Sequence, residues 1–176
     1  MRFQVISVVS LVCMGIAFIG QGAVAQVTSQ GCRFTKLNTK MGPAWGVVTR
    51  NGNKIIWALN ALPLTYTNEG TDYGSTVISS PAVDACKKIG GDLPTMSDYF
   101  SLTDCFESVV NNPYVLSAKG LRDLYAIMPD MQGRNFWSSS VYSYNSKYAW
   151  TFSGVSGESY YGGFRYEYGS VRCVGR

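Results

Sequence analysis

Four cysteines, Cys32, Cys86, Cys105 and Cys173, constrain this chain more than any other feature, provided that its first 25 residues are removed. Those residues read as an export signal. Arg2 supplies the positive start, Val5 to Ile19 is an apolar run, and Ala23-Val24-Ala25 is a small-x-small cleavage pattern. Cleavage after Ala25 leaves a chain from Gln26 to Arg176 and discards the fifth cysteine, Cys13. Cys13 lacks the small residues that precede a lipidated cysteine, and no later stretch is long and apolar enough to cross a bilayer. An even set of cysteines in an exported chain implies two disulfides, with three pairings open. Metal binding is disfavoured, because the chain has no histidine and no Cys-x-x-Cys pair.

One of these cysteines sits in the stretch around which the rest is organised, Ser80 to Asp98. Ser80 is placed to cap a helix whose first position, Pro81, needs no N–H donor. Val83, Cys86 and Ile89 share one face of that helix at three-residue spacing. Gly90-Gly91 ends it, and Thr95 with Asp98 three residues later has the form of a capping box for a second helix. Tyr99, Leu102, Phe106 and Val109 continue an amphipathic face, so the second helix is expected to run from about Met96 to Val110 and stop at Asn111-Asn112-Pro113. A shorter helix is expected around Leu121, Leu124, Tyr125 and Met128, ending at Pro129.

Before this stretch, Gln26 to Asn38 reads as an irregular lead-in. Trp45 to Thr49 and Lys54 to Leu59 read as strands joined through the Asn51-Gly52 turn. Pro63 to Ser79 is polar and is expected to be an exposed loop. After it, the character changes. The 33 residues from Phe136 to Tyr168 hold 12 aromatics and only four charged side chains, so this segment is either core, contact surface or both. Tyr148, Trp150 and Phe152 alternate, as do Phe164, Tyr166 and Tyr168, which predicts two strands. Gly154 to Gly157 and Gly162-Gly163 are expected turns, and Val171 to Val174 a last strand. Strands, then helices, then a terminal antiparallel sheet make an α+β domain.

The Gly90-Gly-Asp-Leu-Pro-Thr95 run after the helix cysteine, then Phe136-Trp-Ser-Ser-Ser140, then Arg172-Cys-Val174, resembles the Lcl-type C-terminal domain of bacterial collagen-like adhesins. That family belongs to the C-type-lectin-like and formylglycine-generating-enzyme-like fold group. The resemblance covers Lys54 to the C-terminus, dividing the chain into a signal (1–25), a lead-in with the first strand (26–53) and the domain itself (54–176). It implies two main helices on a small antiparallel sheet. It also implies a bridge from the first helix to the final strand, Cys86–Cys173, which leaves Cys32–Cys105. This chain has Asp92 where family members usually carry an arginine before Leu-Pro-Thr, and no collagen-like tract precedes the domain.

Several activities fall away. Without histidine, triad and imidazole acid–base chemistry is excluded. Formylglycine-generating relatives use a redox cysteine pair or cysteine-bound copper, and here all four cysteines are assigned to bridges. Glu158 and Glu167 are surface carboxylates before they are a glycosidase pair. The Glu-Pro-Asn, Gln-Pro-Asp and Trp-Asn-Asp signatures of calcium-dependent lectins are missing, and the acidic loop Glu69 to Asp72 offers only two carboxylates. No cofactor is expected. Without Arg2 the charge is +3, too weak for a nucleic-acid partner.

What remains is recognition. Phe136, Trp137, Trp150 and Phe152 are assigned to the core, and Tyr142, Tyr144, Asn145, Tyr160, Tyr161, Arg165, Tyr166 and Tyr168 to an exposed ligand surface. The expected function is an exported, non-catalytic, adhesin-like module that is secreted, periplasmic or on the cell surface. Its partner is a glycan, anionic ones included, or a protein. Stable membrane insertion after signal removal is not expected, and self-association into a homo-oligomer is compatible with the sequence. The alternative is a structural subunit of a surface fibre or envelope complex.

Overall fold

A computed structural model describes residues 25–28 and 30–176; the expected export signal, apart from its last residue, Ala25, lies outside the described residues. Two antiparallel sheets and three α-helices make up the fold. In chain order the elements are β1 (Ala25–Val27), β2 (Arg33–Thr39), β3 (Gly42–Val48), β4 (Lys54–Ala58), β5 (Thr71–Tyr73), β6 (Thr76–Ser79), α1 (Pro81–Lys88) and α2 (Met96–Thr103). They continue with β7 (Ser108–Val109), β8 (Asn112–Leu116), α3 (Ala118–Ile127), a 3-10 turn (Pro129–Met131), β9 (Asn135–Val141), β10 (Tyr148–Ser153), β11 (Glu158–Phe164) and β12 (Val174–Gly175). One sheet has the order β1-β2-β3-β4-β12, the other β5-β6-β9-β10-β11-β8-β7.

The helix signals in the sequence act as read. The Ser80 hydroxyl accepts from the Val83 N–H, and the Thr95–Asp98 capping box closes in both directions. Gly90 takes a φ of +81°, the left-handed conformation that ends a helix and that a side chain disfavours. Both disulfides have the pairing that the resemblance implies, Cys86–Cys173 and Cys32–Cys105. The first ties α1 to the end of the chain. The second ties the segment before β2 to the residues just after α2.

Five expectations are corrected. The lead-in is not irregular, because Arg33 to Thr39 pairs residue for residue with β3. The second helix stops at Thr103 rather than Val110. Two successive turns, Cys105 N–H to Leu102 O and Phe106 N–H to Thr103 O, carry Cys105 to its bridge, and a β7–β8 hairpin follows. Gly162 and Gly163 lie inside β11, and Tyr166 and Tyr168 lie beyond its end. Finally, Pro63 to Ser79 is no loose loop. Its first part runs antiparallel to the Arg165–Val171 segment, with backbone bonds from Leu62 to Val171, between Tyr66 and Gly169 in both directions, and from Asn68 to Arg165. Its second part is the β5–β6 hairpin. The sheets, of five and seven strands, are also larger than the small single sheet expected.

Period-two alternation buries both faces of the larger sheet at its centre. Phe136 and Phe152 enter a core with Phe34, Trp45 and Trp57 of the other sheet, Tyr99 and Leu102 of α2, and Leu124 of α3. Trp137 and Ala149 face the opposite way, into a second core with Ala82, Val83 and Cys86 of α1. Buried Arg172 joins the two sheets' surroundings: its Nη1 donates to the carbonyls of Ala58 and Leu59, and its Nη2 pairs with Asp130. Burial lowers the Arg172 pKa from its ordinary value, opposed by Asp130, and burial pushes the Tyr99 phenol strongly upward.

Candidate functional site

The aromatic segment does not form one continuous surface. Of the four residues assigned to the core, Phe136, Trp137 and Phe152 are fully buried, and Trp150 is half-buried against it. The residues assigned to the surface separate into groups. Tyr142 and Tyr144 pack ring to ring at 5.5 Å, and Tyr142 meets the edge of Trp150 at 6.0 Å. A second ladder runs from Tyr148 to Phe164 at 4.3 Å, and from Phe164 to Tyr166 at 5.2 Å with the rings 26° apart. Register explains the first rung, since Tyr148 and Phe164 are direct partners across β10 and β11. The second rung exists because a turn, Glu167 N–H to Phe164 O, folds Tyr166 back at the end of β11.

Beside this ladder is an open cleft of about 390 Å³, lined by Glu69, Asp72, Ser146, Lys147, Arg165 and Tyr166 with the backbone of Gly70. Its volume is in the range of small-ligand sites. Three chain segments build it: the stretch before and into β5, the β9–β10 loop, and the end of β11. Arg165 holds them together. Its Nε donates to Asn68 O at 2.8 Å, Nη1 to Asp72 Oδ2 at 2.7 Å and to Ser146 O at 3.0 Å, and Nη2 to Gly70 O at 3.2 Å. This corrects the expected exposure of Arg165, which is only 6% accessible. Three carbonyls and a carboxylate converge on one guanidinium, and that compensates for removing its charge from water.

The network continues inward. Asn68 is completely buried; its Nδ2 donates to Ser138 O at 2.8 Å and its Oδ1 accepts from the Ser80 hydroxyl at 2.9 Å. Ser80 is the cap of α1. A single polar chain therefore runs from the helix terminus through Asn68 and Arg165 to the cleft wall.

The remaining assigned residues fall around this centre. Asn145 shapes the β9–β10 loop, its Oδ1 accepting from the Lys147 N–H at 3.1 Å, which sets Ser146 and Lys147 at the cleft. Tyr144 is highly exposed, as are Tyr166 and Tyr168. Tyr160 is half-buried, opposite Thr151 on β10, and does not line the cleft. Tyr161 pairs with Trp150 through its backbone, and its side chain lies outside the described residues. The structure thus brings Arg165 and Tyr166 together, next to Asn145, and sets Tyr142 with Tyr144 in a separate pair.

Glu69, Asp72, Ser146 and Lys147 were not among the sequence candidates. Glu69 and Asp72 enter the sequence reading only as a carboxylate pair too sparse for calcium. The Asp92 position, arginine in the resembling family, bonds through its backbone to Val174 and through its carboxylate to Arg176 at 3.4 Å. Among the described residues no helix is long and apolar enough to cross a membrane. No protein-family model, no curated protein and no solved structure matches the chain.

Proposed function

We propose that this chain is an exported, non-catalytic recognition module with a C-type-lectin-like fold, adhesin-like in role, that binds a glycan at the Arg165 cleft and the aromatic ladder beside it. One observation carries the reading: the polar cleft shares Tyr166 with the Tyr148–Phe164–Tyr166 stack. A sugar ring presents an apolar C–H face and a rim of hydroxyls. An aromatic ring next to hydrogen-bonding groups suits both. Two disulfides fit an oxidising compartment, as expected of a protein secreted, periplasmic or displayed at the cell surface.

The test is a glycan array probed with the oxidised protein and with a Tyr166→Ala variant that retains both disulfides. Binding by the wild type and its loss in the variant support the proposal. Equal binding by both moves recognition away from this ring.

A different surface favours the structural-subunit alternative. The β7–β8 hairpin exposes Val109, Val110 and Tyr114, with Val110 at 84%. A concentration-independent oligomer in which Val110→Asp releases monomers would support permanent assembly through that hairpin.

A further inference from the structure

We infer that the cleft selects an uncharged saccharide residue and excludes sulfated and carboxylated chains. This rests on the recognition reading above and narrows it. The charged side chains lining the cleft are Glu69, Asp72, Lys147 and Arg165, two of each sign, so the wall carries no net charge. A site for an anionic polymer would show surplus cations with open N–H groups.

Arg165 cannot serve as one of those. Four of its donor contacts already go to Asn68, Asp72, Ser146 and Gly70, and a guanidinium has five N–H groups in all. The two-pronged grip that arginine makes on a sulfate or carboxylate needs two adjacent free N–H groups, and only one is left. Negative charge at the wall is less fully spent. Asp72 gives Oδ2 to Arg165, while its Oδ1 is buried with no hydrogen-bond partner. Glu69 is exposed at the rim. An incoming anion would meet the exposed Glu69 carboxylate at the rim, with Lys147 as its one approachable cation in the cleft.

A neutral sugar suits the same groups. Its hydroxyls both donate and accept, which matches the Glu69 carboxylate as acceptor and the Lys147 ammonium as donor in the lining. Its C–H face matches Tyr166, already held flat by the stack on Phe164.

The experiment is isothermal titration of the oxidised full-length mature protein at low and high salt. Ligands are neutral manno-, galacto- and N-acetylglucosamine oligosaccharides, against heparin and polygalacturonate fragments of matched length. Expected is saturable binding of at least one neutral series, insensitive to salt, with Kd raised about tenfold by Tyr166→Ala and severalfold by Glu69→Gln. Both side chains are exposed, so these variants keep the fold, checked by circular dichroism. Glu69→Lys, which gives the wall a surplus of cations, should admit the heparin fragments.

Salt-sensitive binding of an anionic series to the wild type, weakened by Lys147→Ala, would overturn the inference and leave glycan recognition standing. So would neutral binding that ignores both Tyr166→Ala and Glu69→Gln. Absence of any saccharide binding would overturn it together with the glycan reading. A protein ligand whose capture needs Tyr166 would then retain the recognition role alone.

Discussion

Asn68 and Arg165, 97 positions apart, are bound to each other twice: the Asn68 N–H donates to the Arg165 carbonyl at 2.7 Å, and Arg165 Nε donates to the Asn68 carbonyl at 2.8 Å. One link is backbone to backbone, the other side chain to backbone, so strand pairing and the buried guanidinium reinforce one geometry. Around it the cleft wall is assembled from the stretch into β5, the β9–β10 loop and the end of β11.

Arg165→Lys should therefore cost more than a conservative charge swap on a surface. A lysine reaches fewer acceptors and leaves carbonyls of Asn68, Gly70 and Ser146 unpaired. A loss of about 2–3 kcal/mol is expected, discounted because Asp72 is partly solvated. Urea unfolding of the two proteins measures it. A change below about 0.5 kcal/mol, the range of ordinary surface substitutions, would show that Arg165 is not the staple of the site.

The Cys86–Cys173 bridge closes a separation of 87 residues. Replacing both cysteines by serine should lower stability by ~4–5 kcal/mol on the chain-entropy account. Peptide mapping of the non-reduced protein checks the pairing itself. A Cys86–Cys105 peptide would contradict it.

Much of this architecture was legible because its determinants are local. The Ser80 cap, the Thr95–Asp98 box and the Asn51-Gly52 turn each depend on residues within a few positions, and each forms as read. The disulfide pairing was not legible from the residues and came only from the family resemblance. The overrun of the second helix has a simple cause: Phe106 and Val109 keep helical spacing, yet Phe106 is buried from a turn and Val109 is 44% exposed on a hairpin. Likewise, the alternation of Phe164, Tyr166 and Tyr168 continues past the strand that justified it.

Burial of Arg165 lay beyond sequence reasoning for a physical reason. An arginine is buried when several carbonyls converge on it, and here they come from Asn68, Gly70 and Ser146, which no sequence window contains. The polar run Pro63 to Ser79 misled in the same way. Most of it is exposed, as read, but it is not an unpaired loop: its backbone pairs with the chain about a hundred residues later.

Trp137 demands the glycine at position 163. A Cβ there would lie 2.5 Å from the Trp137 ring and 3.1 Å from Thr151 Cγ2. Gly163→Ala should destabilise by about 1–3 kcal/mol through overpacking, and pairing it with Trp137→Phe should recover part of that loss. Thermal unfolding of the two variants is the check. An additive double variant would mean that the two residues do not collide.

Tyr99 gives a pH signature. Burial raises its phenol pKa above the ordinary 10.0, so the unfolded chain ionises first and the folded chain holds the proton longer. The stability it contributes is complete below pH 10 and falls as pH rises beyond that. Tyr99→Phe should flatten this alkaline decline while costing about 1 kcal/mol at neutral pH, where the hydroxyl donates to Trp137 O. Chemical unfolding across the alkaline range reads both effects. An equally steep decline in the variant would contradict the assignment.

The most direct test of recognition at the Arg165 cleft is amide chemical-shift mapping of the oxidised protein titrated with a bound oligosaccharide. Shifts concentrated on Gly70, Asp72, Ser146, Lys147 and Tyr166 are the predicted result. Shifts confined to the β7–β8 hairpin around Val110, with the cleft amides unmoved, would contradict it.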